Sequence, residues 1–73
     1  MAEPQVIDGR DLLPPEPMEL TLAALDTLEP GQELLLLLHC EPHPLYSILK
    51  RNGYRYRNEL REDGTNAITI SKG

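Results

Sequence analysis

Prolines and glycines cut this chain into short segments, and the densest cut, Pro14-Pro15-Glu16-Pro17, constrains the fold most. Proline lacks a backbone N–H and is tolerated in a helix only within the first turn, so a helix can begin inside this run but cannot cross it. Before it, Val6 and Ile7 followed by Asp8-Gly9-Arg10 read as a short strand ending in a turn. After it, Met18, Leu22, Leu25 and Leu28 recur at helical spacing on one face, and Glu16 and Glu19 suit the positive end of the helix dipole. Pro30-Gly31 stops that helix. The stretch from Asp8 to Met18 is thus expected to be a strand end, a rigid elbow and a first helical turn.

From Glu33 to His39 the chain carries five consecutive leucines between a Pro-Gly turn and a Cys-Glu-Pro break. A run this short between breaks fits a buried central strand better than a helix. Alternation sends Leu34, Leu36 and Leu38 to one face and Leu35 and Leu37 to the other, and the sequence leaves open which set meets the helices. Pro42-His43-Pro44 repeats the proline start, predicting a second helix from about Pro44 to Asn52, with Leu45, Ile48 and Leu49 on its apolar face and Gly53 just past its end. Tyr54 to Leu60 alternates, with Tyr54, Tyr56, Asn58 and Leu60 on one face and Arg55, Arg57 and Glu59 on the other. Asp63-Gly64-Thr65-Asn66 then turns the chain into a last strand, Ala67 to Lys72.

The order is β-α-β-α-β-β. Right-handed crossovers make the first two strands parallel neighbours and put both helices on one face of a four-stranded mixed sheet. The fold class is α/β, more closely an α+β two-layer sandwich. Residues 1–5 are expected to be a disordered N-terminus and 6–73 a single domain.

The 73 residues suffice for one core, and a chain with three Tyr, no Phe and no Trp must build it from aliphatic side chains. One cysteine excludes an internal disulfide and agrees with a reducing cytoplasm. No stretch reads as a signal peptide, and the apolar run Leu34 to Leu38 falls far short of the ~20 residues a membrane helix needs. The net charge of −5 argues against general affinity for nucleic acid or an anionic membrane, although Lys50, Arg51, Arg55, Arg57 and Arg61 cluster in one basic stretch.

The elbow also carries a resemblance. Asp8-Gly9-Arg10-Asp11-Leu12-Leu13-Pro14-Pro15-Glu16-Pro17 resembles the Asp-x-Arg-x-Leu-x-Cys-Pro-x-Pro signature of the small TusA/SirA-like sulfur carriers, which share the predicted order of elements over Val6 to Ser71. Pro14 stands where the carriers have their cysteine. Leu12 with Pro14 to Pro17, and His39-x-x-Pro42-x-Pro44-Leu45-Tyr46, are more similar to an uncharacterised family of TusA relatives that lack the carrier cysteine, some fused to hemerythrin-like domains. The resemblance implies the fold and a redox or sulfur-handling context. Three prolines and two glutamates at the helix start also argue against anion or persulfide binding at the elbow.

Candidate site residues follow from topology, because loops at the carboxyl ends of parallel strands are the usual binding position. That edge collects Asp8 and Arg10 after the first strand and His39, Cys40, Glu41 and His43 after the second. The expected binding pocket is Asp8, Arg10, His39, Cys40 and His43. Cys40 is either a reactive thiol for sulfur relay or a small buried residue at a strand end. His39, Cys40 and His43 are the residues that would bear on a metal ion or haem, although their spacing matches no strong zinc signature and a closed site would need a fourth ligand. The plainer expectation is that His39 pairs with Asp8 or a carbonyl and His43 caps the second helix. No cofactor and no serine or histidine hydrolase chemistry is implied. The expected function is a non-enzymatic binding module that forms a homodimer or docks on a protein partner.

Overall fold

A computed structural model describes residues 5–13 and 16–72. Its elements are β1 (Gln5–Asp8), α1 (Glu16–Thr27), β2 (Glu33–Leu38), α2 (His43–Arg51), β3 (Tyr54–Leu60) and β4 (Asn66–Lys72). They form the α+β sandwich expected, with one four-stranded mixed sheet ordered β1-β2-β4-β3. β1 runs parallel to β2, while β4 is antiparallel to both β2 and β3. Gln5, expected in the disordered terminus, is the first residue of β1, and residues 1–4 lie outside the described residues. Pro14 and Pro15 of the elbow lie outside them as well.

Register decides which leucines build the core. Ile7, Leu36, Ile68 and Asn58 form one row across the sheet, and Gln5, Leu34, Ile70 and Tyr56 form the next. Leu34, Leu36 and Leu38 therefore face inward and pack with Leu25, Leu28, Leu45, Leu49, Ile68 and Ile70. On the opposite face Val6, Leu35, Thr69 and Arg57 share a row. Leu35 is half-buried there, and Leu37 is only 8% exposed. The open face consequently offers little leucine surface for a partner.

Local chemistry sets the ends of the elements. Gly53 follows Asn52, the C-terminal cap of α2, with φ +78°, a conformation that costs glycine nothing. The β3–β4 hairpin closes when Arg61 donates its N–H to the Thr65 carbonyl at 2.8 Å and Thr65 donates its own to Asp63 Oδ1 at 2.9 Å. That last bond, backed by the nearby Arg10 and Arg61, holds the Asp63 carboxyl below the ordinary aspartate range. In α1, Thr21 is fully buried, and its hydroxyl is satisfied by donation to the Pro17 carbonyl at 2.8 Å.

Candidate functional site: the carboxyl edge of the parallel strands

β1 and β2 end at the same edge of the sheet, where both helices begin and the β3–β4 hairpin turns. β1 closes on its own charge. Arg10 donates Nε–H to Asp8 Oδ1 at 2.8 Å and Nη2–H to Oδ2 at 2.7 Å, and its backbone N–H reaches Oδ1 at 3.2 Å. Side-chain and backbone donation by Arg10 holds the Asp8 carboxyl at about 2, with a smaller attraction from His39. This pair satisfies its own fork geometry, so it is a closed ion pair rather than an open anion receptor.

The β2–α2 loop is organised by Glu41. Its Oε2 lies 3.3 Å from His43 Nε2, and its Oε1 accepts from Asn58 Nδ2 on β3 at 3.1 Å. His43 does not cap α2 as expected: it is the first helical residue, and Pro42 holds the cap position without a side-chain hydrogen bond. Proline has no side-chain acceptor to offer, which leaves the loop to be held through Glu41.

Asn58 is the hub of a small polar cluster. Its Nδ2 lies 3.0 Å from Tyr46 Oη and 3.1 Å from Asn66 Oδ1 as well as facing Glu41, so two amide protons serve three oxygens. Turning the amide over would set Oδ1 against the Glu41 carboxylate, and that repulsion selects the nitrogen for this side. Among the described residues, Asn58 Oδ1 is buried without a partner. Burial pushes the Tyr46 hydroxyl above the ordinary tyrosine range, and the Glu41 charge adds to the effect.

Between the two helix starts lies an apolar cavity of about 320 Å³. Leu36 and Leu38 of β2 form its floor, Pro17 and Met18 of α1 one wall, and Pro44 and Leu45 of α2 the other. Cys40, Glu41 and Pro42 of the loop complete it. The proline starts that limit both helices also shape this space, because their short rings cannot reach across it as longer side chains would.

The sequence-predicted residues are therefore divided. Of Asp8, Arg10, His39, Cys40 and His43, Cys40 alone lines the cavity. Asp8 and Arg10 are occupied with each other, His39 is exposed, and His43 sits on Glu41. Cys40 is exposed, in place of the small buried residue that strand ends often carry. Among the described residues no group of three or more His, Cys, Asp or Glu side chains is arranged to hold a metal ion, so His39, Cys40 and His43 do not come together as such a group. Also among the described residues, no helix is long and apolar enough to cross a membrane. Sequence reasoning did not single out Asn58 as a site residue. Its signal was an amide on the inward face of an alternating strand, a position that demands partners.

A family described as an uncharacterized conserved protein family, DUF2249, matches residues 6–72, nearly the whole chain. The chain belongs to this family. For a DUF2249 domain, the match covers all six elements but for Gln5 at the start of β1, so the edge with its cavity and polar cluster lies inside it. No curated protein and no solved structure matches the chain.

Proposed function

We propose that this DUF2249 domain is a non-enzymatic binding module that holds a small apolar group in the cavity between the starts of α1 and α2. The observation that carries this reading is the cavity itself: about 320 Å³, lined by leucine, methionine and proline, at the carboxyl edge of two parallel strands. Ligand sites fall at such edges, and ~300 Å³ is the lower end of their usual size, enough for one aromatic or branched aliphatic group. Cys40 and Glu41 border the cavity at the loop, and its surface is almost wholly apolar.

The wider context of this reading is redox or sulfur handling, in the cytoplasm and with a protein partner. It rests on the likeness of the elbow and of the order of elements to the TusA/SirA-like carriers. Pro14 stands where those carriers have their cysteine, so this reading assigns no thiol chemistry to the elbow.

One observation favours a second reading, sulfur relay through Cys40: the thiol is exposed and borders the cavity. In that step the Cys40 thiolate attacks the outer sulfur of a donor persulfide. The new S–S bond forms as the donor's S–S bond breaks, and the donor leaves as a thiolate. Native mass spectrometry with a persulfide donor, on the wild type and Cys40→Ser, separates the two. A binding module remains unmodified and keeps its ligand in the serine variant, whereas a relay gains one sulfur that the variant cannot.

A further inference from the structure

The sheet ends on β3, seven residues long, whose outer edge is unpaired among the described residues. Because Arg61 N–H bonds to Thr65 across the hairpin, antiparallel alternation directs Arg55, Arg57 and Glu59 toward β4. Tyr54, Tyr56, Asn58 and Leu60 then turn their N–H and C=O groups to the free edge. Leu60, at the end of this strand, is 72% exposed. A long open edge of this kind is a template for another strand.

We propose that the edge pairs with β3 of a second copy, antiparallel and centred on Asn58. This inference is independent of whether the cavity holds a ligand. Backbone alternation permits a two-fold pairing centred on Tyr56, Arg57, Asn58 or Glu59, and charge chooses among them. Centring on Tyr56 sets Arg55 against Arg57 of the second copy; centring on Arg57 sets Arg55 opposite Glu59 but places Arg57 against itself on the two-fold axis, and centring on Glu59 places Glu59 against itself there. Registers farther along run into the turn at Arg61 to Thr65, which is not extended. Centring on Asn58 sets Arg57 opposite Glu59 of the second copy, twice, and Tyr56 opposite Leu60, twice; Arg55 falls opposite Arg61, past the end of β3, so no like charges face each other within the paired strands. Arg57 and Glu59 already lie 3.3 Å apart on one strand with most of each side chain exposed, so the four charges would close into one network. About six backbone hydrogen bonds form, and the exposed Leu60 is covered.

Sedimentation velocity over a concentration series tests this with a charge swap, circular dichroism confirming the fold of each variant. The wild type is expected to show a monomer–dimer equilibrium. Glu59→Arg and Arg57→Glu each place like charges opposite and should raise the dissociation constant ~10-fold or more, while the double variant carrying both changes should restore it. A wild type that stays monomeric, single variants that dimerise unchanged, or a folded double variant that fails to recover would each overturn the proposal.

Discussion

The ring of Tyr46 on α2 lies flat against that of Tyr56 on β3, with centroids 4.5 Å apart and planes 6° from parallel. With Tyr46 Oη bonded to Asn58, this stack ties the second helix to the edge strand. In a chain with no Phe or Trp it is the main aromatic packing available.

A double-mutant cycle of Tyr46→Leu and Tyr56→Leu should therefore show coupling of about 1 kcal/mol beyond the two single costs. Urea unfolding measures it. Additive effects within the error of the cycle would mean that the rings contribute area and no specific contact.

Asp8 gives the stability a defined acid dependence. Its carboxyl titrates at about 2 in the folded protein against 3.8 ordinarily. A depressed folded value means that the contribution is fully present above pH 3.8 and is lost as pH falls toward 2. NMR titration of the Asp8 carboxyl should give a midpoint near 2, and Arg10→Gln should move it up toward 3.8. An Asp8 midpoint unchanged by that substitution would assign the depression to another group.

Much of this architecture was legible because each element carried its own punctuation. The prolines marked both helix starts, the glycines marked the turns, and alternation in Tyr54 to Leu60 gave the faces of β3 correctly. The phase of Leu34 to Leu38 was not legible, since five identical side chains have no alternation of their own, and only pairing with Ile68 and Ile70 fixes it. Thr21 was passed over because a hydroxyl looks like a surface group until its bond to the Pro17 carbonyl is seen. At the site, the sequence collected the right edge. It suggested a polar pocket, because Asp8, Arg10, His39 and His43 stand out as letters, whereas the cavity is lined by residues that read as ordinary core and loop.

Gly9 is the tightest point of that edge. A Cβ there would lie 2.8 Å from Leu38 Cδ2 and 3.2 Å from Pro17 Cβ, while its N–H donates to the Leu37 carbonyl at 2.8 Å. Gly9→Ala should cost ~1–2 kcal/mol, moderated because Leu38 borders the cavity and can give way into it. Chemical denaturation reads the cost. A neutral substitution would mean that the wall at Pro17 is not held in place.

Met18 is half-buried on the cavity wall. Met18→Phe should occupy the space and raise stability by ~0.5–1 kcal/mol, as cavity-filling changes do. If it lowers the melting temperature instead, the space is too constrained to accept a ring, and the size assigned to the bound group is wrong.

Binding of an apolar group in the cavity is read out by methyl-resolved NMR during titration with a small apolar probe such as benzene. Saturable shifts are expected at the methyls of Met18, Leu36, Leu38 and Leu45, with little change at Leu35 and Val6 on the open face and loss of the response in Met18→Phe. An unresponsive set of cavity methyls, or shifts spread evenly over both faces of the sheet, would contradict it.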